Sequence, residues 1–391
     1  MKNIIIVGCG LCGGVIARQC AEAGFKVSII ERRNHIAGNL FDFRDEHGIL
    51  IQKYGPHTFH TNKKEIFEYI SKFSEWVEYH VTCGAVINNI CTPTPFNFKT
   101  IDDFYSINEA TNIKEHITNY YKEQKTATVL ELLNHEDPVI KDYALFLFKN
   151  DYSLYTAKQW GISPDKVDPS ILKRVPLRFD YKVGYFDDKY QYMPKESFLT
   201  FFTSLIDHPN IDVFLNTDAN EHIKIIENKI FYDGEELKNP LVYTGPIDEL
   251  FNYKEGILPY RSLRFEFVYE DIESKQDMPV VAYPQVLDFT RITEFKKLPI
   301  QKCKGTTYAV EYPLQYEPNS DSEPYYPLLT AESINNYQKY NELSKQIPNL
   351  YLCGRLANYK YYNMDQAIEA ALSLSDELIH KFLSIDIPQN L

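Results

Sequence analysis

Ile4-Ile5-Ile6-Val7 is an unbroken aliphatic run beside polar Lys2-Asn3. So short a run predicts a strand covered on both faces, as in a parallel sheet. Small residues follow, and then apolar positions such as Val15, Ile16 and Cys20 recur at helical spacing, predicting a helix over 14–23 that stops at Gly24. Lys26-Val27-Ser28-Ile29-Ile30 predicts a second strand, closed by Glu31. Strand, helix and strand within about 30 residues make a βαβ unit. Helical spacing returns over 64–77 and through 101–150, for instance at Val129–Leu133 and Tyr143–Phe148. Short strands are predicted at 223–232 and 239–243, with a turn at Asp233-Gly234. From 258 to 316 the segments are short, alternating and turn-rich, which predicts an antiparallel sheet. An amphipathic helix is predicted over 365–382.

Length and composition add bounds. At 391 residues, 44% hydrophobic and 24% charged, the chain is globular in composition, and at roughly 150 residues per domain it should form two or three domains. No repeat or low-complexity linker separates them, so they are expected to interleave. The net charge of −13 argues against a nucleic-acid or anionic-membrane partner. No segment reaches the ~18 apolar residues of a membrane span, and Met1-Lys2-Asn3 runs straight into the first strand without a signal peptide, so a cytoplasmic location is expected. The seven cysteines are scattered and do not form a disulfide framework. Cys9 and Cys12 make a C-x-x-C, but they read as small side chains filling a glycine loop, and no metal site is expected.

That loop carries the first chemistry. Gly8-Cys9-Gly10-Leu11-Cys12-Gly13 is G-x-G-x-x-G between strand and helix. Gly8 allows the tight turn, Gly10 lets a diphosphate approach the backbone, and Gly13 lets the helix pack close to the strand. The helix N-terminus at Leu11 favours the anion. Glu31, at the end of the second strand, can accept a hydrogen bond from an adenosine ribose. Arg32-Arg33-Asn34-His35-Ile36-Ala37-Gly38-Asn39 continues from it, and its Gly38-Asn39 turn can bring backbone onto the phosphates. A second glycine segment, Cys353-Gly354-Arg355-Leu356-Ala357, follows an apolar strand near the chain end. That return is the layout of flavin enzymes with a discontinuous cofactor domain, so the expected dinucleotide is FAD.

The expected architecture is therefore α/β. A discontinuous Rossmann-type FAD-binding domain is assembled from residues 1–78, 205–245 and 320–391. A helical domain is inserted at 98–160, and an antiparallel β-sheet domain on the substrate side draws on 79–97, 161–204 and 246–319.

Longer motifs extend along nearly the whole chain. They include Lys53-Tyr54-Gly55-Pro56-His57-Thr58-Phe59-His60-Thr61, Tyr155-Thr156-x-Lys158-Gln159-Trp160-Gly161 and Lys173-Arg174-Val175-Pro176-Leu177-Arg178. Glu311-Tyr312-Pro313, Glu323-Pro324-Tyr325-Tyr326-Pro327 and Tyr359-Lys360-Tyr361-Tyr362 continue the series. On these residues the sequence resembles the bacterial UDP-galactopyranose mutases. The resemblance implies interconversion of the pyranose and furanose forms of a nucleotide-linked galactose, through an adduct between the sugar and N5 of reduced FAD, with no net redox change. It implies that Arg174, on a lid around 165–185, and Arg291 hold the diphosphate, helped by Tyr325 and Tyr361. By the same resemblance Tyr155 stacks on the uracil, while Trp160 and Tyr185 contact the substrate. His57 and His60 lie near the flavin, Arg261 and Arg355 contact it, and Asn363 and Met364 border cofactor and substrate. An external reductant such as NAD(P)H and a homodimer are also implied.

Three segments depart from the family pattern. Asn363-Met364-Asp365-Gln366 stands where the family has Asp followed by Met-His-Gln. Tyr192-Met193-Pro194-Lys195-Glu196-Ser197 replaces a glycine-containing turn and is expected to fill space beside the flavin. Thr82-Cys83-Gly84-Ala85 replaces an Asn-containing segment. These leave TDP-fucose and UDP-N-acetylgalactosamine as alternative substrates. A redox FAD oxidoreductase and a non-enzymatic escort protein on the same fold are competing readings, whereas Asp102-Asp103 and Asp187-Asp188 read as solvated loop charges.

Overall fold

The computed structural model describes residues 2–160, 176–318 and 320–383, with the backbone alone at 159, 160 and 383. Arg174 and most of the expected lid lie outside the described residues, as does the Trp160 side chain.

The opening aliphatic run forms the strand Asn3–Val7, which pairs in parallel with Lys26–Ile30 on one side and Leu241–Tyr243 on the other. Ile211–Phe214 and Leu350–Leu352 extend this to a five-stranded parallel sheet. Its strands come from the start, middle and end of the chain, as a discontinuous cofactor domain requires. The helix Leu11–Glu22 crosses between the first two strands and packs on the last helix, Met364–Leu383. Val15, Ile16 and Cys20 form one core there with Ile368, Ala371 and Leu378. At Gly14 a Cβ would come within 2.7 Å of the Phe202 ring. The missing side chain is what allows the helix Phe198–Ile206 to dock on Leu11–Glu22.

That docking differs from the sequence-based boundary, which assigned 161–204 to the substrate side. The strand Tyr190–Pro194 pairs with Phe59–Thr61 and Trp76–Glu78, and Asp42 caps Phe198–Ile206 by accepting from the amides of Phe198 (2.7 Å) and Leu199 (2.8 Å). Residues 190–206 therefore belong with the cofactor domain. The expected helix over 64–77 ends at Ile70, and Trp76–Glu78 is a strand. Residues 192–197 do not line the cofactor cavity either. Met193 is buried in the main core, and the Tyr192 ring packs tilted on Phe67 with centroids 4.4 Å apart.

The inserted helices are Phe98–Phe104, Ile107–Tyr121, Val129–Leu133 and Pro138–Leu147, each opened by a side-chain cap from Asn97, Ser106, Thr128 or Asp137. A π-helical turn, Phe148–Tyr152, leads directly into Ser153–Trp160. The second large sheet has seven strands and is antiparallel apart from Cys83–Ile87 against Val280–Ala282. No helix among the described residues is long and apolar enough to cross a membrane.

Candidate active site

A single cavity follows the glycine loop, holding about 1220 Å³ free of protein atoms with its open mouth included. Gly8, Gly10, Leu11, Glu31, Arg32, Gly38, Asn39, His57, Tyr325, Gly354, Arg355, Asn363 and Met364 all line it. Gly13 stands behind the wall, where a Cβ would lie 2.0 Å from the Gly8 carbonyl oxygen. Gly8 has φ +101°, and a Cβ there would meet Thr244 Oγ1 at 2.1 Å. At Gly10 the nearest atom is the Gly38 Cα at 3.9 Å, so this stretch of backbone faces open space. The Glu31 carboxylate, buried at the strand end, accepts from the amides of Cys9 (2.8 Å) and Arg33 (2.9 Å). It braces the loop and keeps lone pairs for a ribose hydroxyl. Burial pushes the Cys9 thiol up to about 12, an inert filler rather than a nucleophile. Such a cradle fits the diphosphate and adenosine of a dinucleotide.

The outer wall is ionic. Glu323 accepts from Arg33 (2.9 Å) and Arg32 (3.2 Å), and Arg32 also reaches Glu249 (3.4 Å). Arg33 donates to Asn39 Oδ1 at 3.0 Å. Burial opposes ionisation of Glu323, yet the two arginines hold its carboxyl below the usual range. Arg32 thus reaches the cavity through this network. Glu323, Glu249, Thr217, Asp218, Asn220 and Thr244 are lining residues that sequence reasoning missed. Glu323 stood inside a quoted motif, whereas Thr217–Asn220 lead into the one-turn helix Ala219–His222, too short to leave a periodic signal.

At the inner end stands His57. Its amide donates to Gln52 Oε1 (2.5 Å), its carbonyl accepts from Gln52 Nε2 (3.1 Å), and its Nδ1 lies 2.9 Å from the Gly55 carbonyl. A carbonyl only accepts, so Nδ1 carries the proton and Nε2 keeps its lone pair. Burial, seconded by Arg355 and Arg291, lowers the His57 pKa to about 4, so the ring is neutral. His60 is placed differently. Its Nδ1 faces Asp188 Oδ2 at 2.9 Å, its ring stacks on Phe186 at 3.6 Å, and it is absent from the cavity wall. Asp188 also accepts from Asn62 (2.7 Å), so it is an orienting carboxylate and not a solvated charge. Asp187 pairs with Arg178, Asp102 with Lys114, and Asp103 accepts from Thr92.

Beyond His57 lies a basic and aromatic cluster. Arg291 donates from Nε and Nη2 to Glu311 Oε2, both at 2.7 Å, across paired strands. Burial works against the Arg291 charge, and buried Glu311 outweighs it, leaving its pKa raised. A Cβ on Gly55 would be 3.9 Å from Arg291 Nη2, which puts this guanidinium beside the His57 turn. Tyr155 has Arg291, Glu311, Arg261 and Tyr185 as electrostatic neighbours, and burial pushes its phenol up to about 12. Tyr326 lies under the guanidinium carbons of Arg355 (4.1 Å) and Arg261 (4.6 Å) and stacks on Tyr361 at 5.5 Å. Sequence reasoning named Tyr325, which lines the cavity with its ring buried against Tyr54 and Leu263. It missed Tyr326, which pairs with Arg261 on the neighbouring strand.

Comparison with known proteins bears on this arrangement. Residues 6–73 match a family model for an NAD(P)-binding Rossmann-like domain, and residues 150–361 match that for UDP-galactopyranose mutase. The chain is 32% identical over 384 residues to the UDP-galactopyranose mutase of Mycoplasma pneumoniae, covering 96% of each chain. It belongs to the UDP-galactopyranose mutase family. It is likewise 32% identical over 376 residues to the dTDP-fucopyranose mutase of Escherichia coli, covering 95% of this chain and 97% of that one. A crystal structure of reduced UDP-galactopyranose mutase shares the fold, with a TM-score of 0.67 at 15% identity, over 99% of this chain and 96% of the other. As a family member the chain is an isomerase, a nucleotide-sugar mutase on a flavin-type Rossmann fold.

Asn363 lines the cavity near its inner end. Its amide donates to Gln366 Oε1 (3.0 Å) at the start of Met364–Leu383. Two residues on, Asp365 Oδ2 accepts from Thr61 (2.9 Å) and is absent from the cavity wall.

Proposed function

We propose that this protein interconverts UDP-galactopyranose and UDP-galactofuranose with FAD held in the reduced state. The observation that carries the reading is the run from a diphosphate cradle, past neutral His57, to the Tyr155, Arg261, Arg291 and Tyr326 cluster. Gly8 to Gly13, Glu31 and the Gly354-Arg355 turn would hold the cofactor, which when bound and reduced supplies a nucleophilic nitrogen toward the anomeric carbon. Arg291, with Arg174, grips the departing and returning diphosphate, the task for which a permanently charged, bidentate side chain suits. Tyr155 stacks on the base. His57 keeps its proton on Nδ1 and offers Nε2 as an acceptor next to the reacting face. Tyr325 and Tyr361 help hold the diphosphate, and Tyr185 and Trp160 contact the substrate. A nicotinamide reductant, a cytoplasmic location and a homodimer complete the reading.

The same reaction on TDP-fucose is the second reading, favoured by the equal identity to the E. coli relative and by the neutral Asn363. The test incubates dithionite-reduced protein with UDP-galactofuranose in one tube and TDP-fucofuranose in another, with products separated by chromatography. Fast conversion of the first supports the proposal. Conversion of only the second keeps the mechanism and moves the substrate. Flavin-loaded protein that converts neither overturns both readings and leaves a redox flavoenzyme.

A further inference from the structure

The hairpin turn between Val280–Ala282 and Arg291–Glu294 directs four carbonyl oxygens at one cation. Lys158 Nζ donates to the carbonyls of Tyr283 (2.6 Å), Val286 (2.5 Å), Phe289 (2.7 Å) and Pro284 (3.3 Å). An ammonium has three protons, so one is shared between two oxygens. The turn is shaped for this by its own bonds. The Tyr283 amide donates to Thr290 (2.8 Å) and the Thr290 amide to Glu311 (2.8 Å). From outside, Gln285 Nε2 donates to Asn88 Oδ1 (3.0 Å) and Asn150 Oδ1 (3.2 Å). The cage is costly for a charge: burial drives the Lys158 pKa down to about 8, against the pull of Asp151 and Asp288. An apolar side chain of the same length would leave four carbonyls without that donor.

The location of this cage gives it a role. Lys158 follows Tyr155 by three residues on the helix Ser153–Trp160, so the two share a face. The caged turn ends one residue before Arg291, which opens the strand Arg291–Glu294. We infer that Lys158 is a positioning residue. Its ammonium, seated among the carbonyls of residues 283–289, holds the helix of Tyr155 against the hairpin of Arg291 and so sets the gap in which a nucleoside diphosphate is gripped. The inference rests on the function proposed above.

The experiment uses FAD-loaded wild type, Lys158→Met, Lys158→Ala and Gln285→Ala. Each is titrated with UDP by calorimetry and assayed after reduction. The grip acts on a leaving group whose charge grows as it departs, so misplacing it lowers UDP affinity and kcat/KM together. Lys158→Met is expected to weaken UDP about 10-fold and lower kcat/KM by at least that factor. Added methylammonium should restore part of the UDP affinity of Lys158→Ala and leave the wild type unchanged. A Lys158→Met protein with wild-type UDP affinity and kcat/KM overturns the inference alone. If the Lys158 variants do not fold, Gln285→Ala decides: weakened UDP binding with a lowered kcat/KM supports the inference, and unchanged UDP affinity overturns it. Wild type that binds neither UDP nor TDP removes the functional reading, and this inference with it.

Discussion

Single residues divide between shaping the cradle and facing the ligand, and substitution can separate the two. A methyl at Gly13 collides with the Gly8 carbonyl at 2.0 Å, while one at Gly10 meets nothing closer than 3.9 Å. Gly13→Ala should therefore destabilise the protein and lose flavin together. Gly10→Ala should melt like the wild type without cofactor and bind FAD at least about 10-fold more weakly. Melting temperature and flavin absorbance per protein distinguish the two outcomes. Arg291 presents the converse case, because its partner Glu311 is buried. Arg291→Met strands that carboxylate and should cost about 3 kcal/mol of stability. Adding Glu311→Gln should return much of it without restoring turnover. Denaturant unfolding beside the mutase assay checks both. The motif residues Gly8, Gly13 and Glu31 were legible because glycine spacing and a terminal acid are local features. Tyr326 was not, because its face depends on a strand that begins only at that residue.

Two elements deliver the candidate site under constraint. The π-helical turn Phe148–Tyr152 buries Asp151, whose carboxyl is raised by burial to about 7 although Lys158 opposes the shift. A carboxyl raised on folding stabilises fully below its unfolded value, near 3.8, and that contribution is lost as pH rises through about 7. Wild-type stability should therefore fall between pH 4 and 7 by a component that Asp151→Asn removes; thermal melts across that range would show it. A wild type and variant with parallel profiles would exclude the titration. The second element is Phe198–Ile206, tied through Asp42 to the short strand Asp42–Arg44. Asp42→Ala should cost about 1–2 kcal/mol, with some flavin loss because this helix backs Leu11–Glu22. The sequence reading drew a domain boundary inside it, between 204 and 205, because its apolar face names no partner.

Across the whole molecule, the parallel sheet joins strands that begin at residues 3, 26, 211, 241 and 350, so the cofactor cradle exists only when distant pieces have met. Arg32 and Arg33 add a bridge from the first piece to Glu323 in the last. A ligand that binds only this assembled state stabilises it by mass action, about 4 kcal/mol at a thousandfold excess over Kd. Removing FAD should lower the melting temperature by several degrees, and refilling should reverse the loss.

The fold class, the βαβ unit, the glycine cradle and the helical insertion were all present in the order of residues. Hydrophobic period, glycine spacing and capping residues act over a few positions, and physical chemistry reads them locally. What tertiary structure decided is which surfaces meet. The stations of Tyr325 and Tyr326, the Asp188 partner of His60, the carbonyl cage around Lys158 and the bond from Thr61 to Asp365 all depend on contacts between segments far apart in the chain. Such contacts are set by the packing of whole elements and leave no periodic mark on the sequence of either segment.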